Sequence, residues 1–373
     1  MLSYYQKNEQ MLSIIKSLSF YPLAAGMILS LMAAAGKASA QKEHQRAHIG
    51  LIYPISTNGT KAPQISNSVS LHALSGVSGG EKGAAVSGLA TIIRGPQKGA
   101  AVSGLMNLVE GEVQGADIAG LLNTAGGTVK GVQIAGLSNT ARSVKGAQVA
   151  GLANIAAGAA SFQVAGLSNT SRHSNFQLSG LVNVTGTGNG QLSGLVNIAR
   201  KVTGIQMAGL VNIAEESEYP IGFLNLIKKG EKSLGLTLDE SGNAIVAFRS
   251  GSSRTYGILG LGNNVLMPEA RHAAEVGLGM HIPLGRVVRF NLEISNITNT
   301  NFYSTAYYKA AFRGLVGVQL GKYLELVAGP SFNYVNYLAG YEPYVAYSLF
   351  EVYGAYSVNT FYVGGVAGIH FKL

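Results

Sequence analysis

Between Gly83 and Ala214 the ionisable residues that could do chemistry are three acids, Glu110, Glu112 and Asp117, and one histidine, His173. Cleavage of a polysaccharide would need clustered carboxylates or a positioned base. These four are spread over several copies of a repeat and form no paired constellation. Glycine-rich phrases such as GAAVSGL suggest a phosphate cradle, but no lysine follows them and they recur about ten times, so the glycines read as steric. Nearer the C-terminus Glu275, Arg289, Glu293, Lys309, Arg313 and Glu325 offer charge, but no nucleophile stands beside a base. We therefore expect no catalytic residue, no metal site, no cofactor and no nucleic-acid partner. A carbohydrate-active β-helix enzyme stays as the remote alternative.

The remaining chemistry is amide chemistry, and a repeat positions it. Aligned on the glycine of each Gly-Leu pair, copies fall at Gly88, Gly104, Gly120, Gly136, Gly151, Gly166, Gly180, Gly194 and Gly209, with a degenerate one at Gly222; the steps are 13 to 16 residues. A short fixed period whose length varies only between motifs marks a stacked array. Each unit reads Gly-x-Gln-aliphatic-Ala/Ser-Gly-Leu-x-Asn. Two architectures could use it: one strand of a larger barrel per repeat, or one rung of a narrow β-solenoid. Membrane strands need aromatic girdles, and Phe162 and Phe176 are the only aromatics in this stretch. We expect a solenoid of about ten rungs, with aliphatics such as Val149 and Leu152 packed inward and the amides stacked as structural ladders. Gln133, Gln148, Gln163, Gln177, Gln191 and Gln206 form one column. Asn107, Asn123, Asn139, Asn154, Asn169, Asn183, Asn197 and Asn212 form the other. The alternative is an amide-rich face open to solvent, able to bind sugar hydroxyls as an adhesin would.

The inter-motif turns carry most of the array's charge. Arg94, Arg142, Arg172 and Arg200 fall at one matching offset, together with Glu110 and Glu215, and Lys98, Lys130, Lys145 and Lys201 sit in the same turns. Stacking would set many of these cations along one edge. Such an edge resists aggregation, or it attracts anionic glycans or lipopolysaccharide.

The ends of the chain define the setting. Lys16, the apolar run Ser19 to Ala35 and the small residues Ala38 to Ala40 have the order of a secretory signal, cleaved after Ala40; Met11 could equally serve as the start. The 373 residues include 50 glycines and no cysteine. A lipid-anchoring cysteine is thus lacking, and a fold outside the cytoplasm must hold without disulfides. After about residue 230 the pattern changes to alternation, and 13 of the 18 tyrosines lie from Tyr256 onward. Segments 231–238, 243–249, 254–262, 272–282, 286–296, 304–320, 322–336 and 359–373 read as eight strands of a small antiparallel barrel of outer-membrane type. The six charged residues named above share its inward parity and should pair in the lumen. The solenoid should attach at the end of the barrel that carries the short turns.

IGLIYPISTNG (Ile49 to Gly59), ISNSVSLHALSG (Ile65 to Gly76), the GxQxAGLxN array and YPIGFLNLIKKGEKSLGLTLDESGNAIVAFRSG (Tyr219 to Gly251) resemble the Gly-Leu-x-Asn surface-repeat proteins of Gram-negative envelopes. The resemblance implies a secreted envelope protein, function unassigned, and supplies no catalytic residues. It departs at Thr91, where the asparagine is missing, as in a capping repeat. Together these readings give an all-β chain: a signal peptide over 1–40, a β segment and cap over 41–82, the array over 83–230 and the barrel over 231–373. The expected role is structural or binding and non-enzymatic, with outer-membrane lipids as partners and the oligomeric state open.

Overall fold

The computed structural model describes residues 44–303, 305–338, 345, 347–354 and 357–373. The expected signal segment lies outside them. Among the described residues no helix is long and apolar enough to cross a membrane. The chain is all-β, a stacked solenoid of about 11 turns followed by a closed eight-strand antiparallel barrel.

Solenoid turns stack in parallel and in register, so like residues sit on like. Asn139 pairs with Asn154 and Asn154 with Asn169, while Gln148 pairs with Gln163 and Gln163 with Gln177. Each turn bends at its Gly-Leu pair. The backbone there is closer to the turn below than any side chain allows: a Cβ on Gly151 would stand 2.1 Å from the carbonyl oxygen of Gly136. Glycine at this corner is a requirement of approach. The stack begins before residue 83, because strand Ser66–Ser78 places Ser75 and Gly76 on Ala90 and Thr91, and strand His44–Ile52 pairs in parallel beneath it. The described part of the expected β segment and cap, residues 44–82, thus pairs in parallel with the repeat turns as the start of the same stack.

The expected orientation of the aliphatics is corrected. Val149 and Leu152 are 38% and 44% exposed, whereas Gln148, Ala150, Asn154 and Ala156 are buried. The two sheets of a flat solenoid lie close, about 10 Å apart, and the interior between them is filled by alanine, valine and isoleucine: Ile93, Ala101, Val109, Val113, Val129, Val144 and Ala156 among others. Leucines at the corner would not fit there.

The barrel strands run Lys232–Asp239, Asn243–Gly251, Thr255–Asn264, His272–Pro283, Val288–Thr300, Thr305–Leu320, Leu324–Leu338 and Ser357–Lys372. Closure comes from antiparallel pairing of the first with the last, Leu234 on Phe371 through Asp239 on Val366. All eight expected segments are present. A further strand, Ser348–Tyr353, forms a hairpin on the last one and is exposed throughout; it falls between the expected segments 322–336 and 359–373.

The last solenoid turn seats on the outside of the barrel at its short-turn end. Asn225 donates from its backbone N–H to Ser250 Oγ at 3.1 Å and from Nδ2 to the Ser250 carbonyl at 3.2 Å. Thr255 Oγ1 donates to the Pro220 carbonyl at 2.8 Å. Gly257 is buried under this turn, and a Cβ there would lie 2.3 Å from the Gly222 carbonyl oxygen.

Candidate functional site

The asparagine column is a continuous internal hydrogen-bonded chain. Asn154 Nδ2 donates to Asn169 Oδ1 at 3.0 Å and to the Val164 carbonyl at 2.6 Å, and Asn154 Oδ1 accepts from Asn139 Nδ2 at 2.9 Å. The same motif runs from Asn107 through Asn183 and Asn197 to Asn225. A backbone carbonyl can only accept, so the second bond fixes each amide with its nitrogen toward the C-terminal end. The glutamine column runs the other way. Gln148 donates to Gln133, Gln163 to Gln148 and Gln177 to Gln163, each at 2.9 Å. All these amides are buried. An adhesin face made of them is thus corrected: the groups that would bind sugars are consumed within the stack.

Asp117 explains the glutamine polarity. It occupies the glutamine column at its N-terminal end, on Gln133, and accepts from Gln133 Nε2 at 3.4 Å and from Gln97 Nε2 at 2.6 Å. A carboxylate only accepts, so every amide above it points its donor down the column. Burial raises the Asp117 carboxyl to about 6 against the pull of these two donors. The unfolded group titrates near its usual value, so between the two the unfolded chain has lost the proton and the folded one keeps it. Stability from this group is complete below the unfolded value and falls as pH rises through about 6, by roughly 3 kcal/mol in all. Asp117→Asn should abolish this loss. Measured by denaturant unfolding, the variant's stability relative to the parent should rise by up to about 3 kcal/mol between about pH 4 and pH 7, on top of a pH-independent loss of about 1 for the donor left without an acceptor. A constant difference would refute the assignment. The comparison must be with the parent, because burial lowers His48 to about 4 and also lowers His72. Stability from these histidines is present above the unfolded value and lost as pH falls, opposite in sign.

The basic turns lie on the polar edge, opposite the Gly-Leu corner. Arg142, Arg172 and Arg200 are exposed and fall in one column on alternate turns. Lys130 and Lys145 are direct neighbours. Arg94 is paired with Glu110, and Lys130 with Glu112 at 3.3 Å. Exposed pairs of this kind contribute little to stability. A shallow groove of about 490 Å³ follows this edge past Lys145, His173 and Lys201. His173 Nδ1 lies 2.6 Å from Thr187 Oγ1, yet among the described residues no carboxylate bonds to its other nitrogen, as a nucleophile-activating base would require.

The barrel lumen collects the six expected charges with others that the alternation did not reveal. Arg313 pairs with Glu275 at 2.6 Å and with Glu293 at 3.5 Å, and Arg249 joins Glu293 at 3.1 Å. Arg289 binds Glu325 through two nitrogens at 2.5 and 2.6 Å. Lys309 meets Asp239 at 3.0 Å and Glu240 at 2.6 Å, the latter on a turn folded into the barrel mouth. Arg249, Asp239 and Glu240 belong to the two shortest strands and their turn, where alternation is too brief to assign parity. At the short-turn end the remaining cavity is about 10 Å³, room for about one water. Among the described residues the lumen is filled by these ion pairs together with buried apolar side chains, Ile245, Ile258, Ile297, Leu315 and Val335 among them.

Among the described residues no group of three or more histidine, aspartate or glutamate side chains could hold a metal ion. Comparison with known protein families, curated proteins and solved structures finds no match to this chain.

Proposed function

We propose that this is an exported, non-enzymatic envelope protein whose barrel spans the outer membrane and carries the solenoid as a structural or binding arm. The supporting observation is the inverted amphipathicity of the barrel. Its interior holds paired charges beside smaller apolar clusters, while Leu236, Val246, Ile294, Phe312, Val316 and Phe332 project outward, each 45–65% exposed. A soluble barrel would put such residues inside; a lipid-facing one requires them outside. In outer-membrane barrels the short turns face the periplasm, so the solenoid on that end is periplasmic in this reading. Export would use the signal over residues 1–40. Envelope lipids are the first partners. Membrane fractionation combined with heat-modifiable gel migration tests the proposal: the unheated protein should run as a compact band from the outer-membrane fraction. A soluble periplasmic protein without a mobility shift would overturn it.

The column formed by Arg142, Arg172 and Arg200 favours a second reading, attraction of anionic glycans or lipopolysaccharide to the polar edge. Changing Arg94, Arg142, Arg172 and Arg200 to serine should then weaken binding of such glycans. Unchanged binding would remove this reading.

A further inference from the structure

The solenoid has a second, apolar side that its own fold leaves uncovered. The corner leucines, from Leu74 through Leu152 to Leu210, stack turn upon turn and are each 39–47% exposed. Val86, Val102, Ile118, Ile134 and Val149 stand exposed beside them. Segments 84–93, 100–109, 116–125, 132–141, 147–156, 162–171, 176–185, 190–199 and 205–214 contain one ionisable residue, Asp117, and it is buried. At about 4.8 Å per turn the strip is roughly 50 Å long, beyond the patches that ordinary soluble monomers expose.

Three observations identify what covers it. First, the backbone along the corner has no donor to offer: Leu152 N–H binds the Leu137 carbonyl at 2.9 Å, and Leu167 N–H binds that of Leu152 at 3.0 Å. Second, the strip repeats itself every turn and bears no tryptophan, tyrosine or arginine of the kind that anchors protein interfaces. Such a surface cannot specify one register for a folded partner, whereas fluid hydrocarbon needs none. Third, the strip is continuous with the barrel exterior. Its last member, Phe223, is 41% exposed, and the Gly222–Phe223 backbone lies on Gly257, whose outward neighbours Leu259 and Leu261 begin the barrel's apolar belt.

From this geometry we infer that the solenoid lies along the leaflet at the short-turn end of the barrel, its leucine strip sunk among acyl chains and its basic turns in water. The inference rests on the membrane reading of the barrel. It would make the solenoid a monotopic membrane element, held by shallow burial of an apolar face to about 5–10 Å, instead of an arm projecting into solvent.

The chain has no tryptophan, so single tryptophans report position cleanly. Leu152→Trp and Leu181→Trp probe the strip at outward, partly exposed sites; Arg142→Trp probes the polar edge; Phe312→Trp probes the barrel belt. Each full-length variant is refolded into phosphatidylcholine vesicles with or without brominated acyl chains. The expected result is blue-shifted emission from Leu152→Trp and Leu181→Trp, lost to bromine as strongly as that of Phe312→Trp, with Arg142→Trp unaffected. Quenching of Phe312→Trp alone would leave the barrel in the bilayer and overturn the leaflet position of the solenoid. No quenching of Phe312→Trp would instead defeat the membrane reading, and this inference with it. Blue-shifted strip tryptophans that bromine does not quench, with doubled mass in detergent, would assign the strip to a second copy of the chain and overturn the inference as well.

Discussion

Arg313→Met is expected to lower the stability of the barrel by about 3–5 kcal/mol, the largest effect of any single lumenal change. The guanidinium is fully buried and neutralises Glu275, which among the described residues has no other cation within ion-pair distance, while Glu293 is shared with Arg249. Methionine fills much of the volume and removes all of the charge, leaving Glu275 to be ionised without a partner or to take up a proton. Urea titration of the refolded barrel, read by heat-modifiable mobility, should show an earlier midpoint. The double variant Arg313→Met, Glu275→Gln should recover most of the loss, because the penalty lies in the orphaned charge more than in the absent attraction. An unchanged midpoint in the single variant would show that the lumen is wet enough to solvate Glu275, and would remove the ion cluster from any account of stability.

Asn154→Ala should cost the solenoid about 4 kcal/mol. The change opens a cavity in a closely packed stack, takes a donor from the Val164 carbonyl and from Asn169 Oδ1, and takes one acceptor from Asn139 Nδ2, which keeps the Val149 and Gln133 carbonyls; a buried group left unpaired costs about 1–3 kcal/mol. Those costs overlap and do not sum. In a stacked array the damage is local to two interfaces, yet a break in the middle divides one cooperative unit into two shorter ones. Circular dichroism in denaturant should show an earlier solenoid transition, with proteolysis opening near the affected turns and barrel mobility unchanged. Leu152→Ala is the contrast two residues away. Its side chain is outward, so its effect in detergent should stay below about 0.5 kcal/mol. Equal losses at the two positions would mean that the interior is misassigned.

The contrast also shows where the sequence was legible. Asn154 and Gln148 could be placed in columns because a period of 13 to 16 residues with length variation confined to turns has one simple stacking register. Phe312, Arg313, Val316 and Glu325 could be placed because alternation of bulky apolar and charged residues leaves no doubt about which side differs. Within the array both parities are weakly apolar, so hydrophobicity did not distinguish Val149 from Ala150. The inward set was decided by width: two sheets this close accept alanine and amides that bond along the stack, and reject a column of leucines. Asp117 looked like a stray acid because its partners, Gln97 and Gln133, are 20 and 16 residues away and meet it only across the interior and up the column. Arg249 and Glu240 were missed for a similar reason, since their neighbours lie on strands far along the chain.

The sequence by itself therefore determined the all-β class, the repeat register, the two amide columns and the parity of the longer barrel strands, all of which follow from local periodicity. Only the tertiary structure decided which face of the solenoid is inside, that an internal carboxylate sets the direction of the glutamine ladder, and that the leucine strip runs onto the outside of the barrel. Those outcomes depend on the distance between sheets and on contacts between residues remote in sequence, and no local pattern contains either.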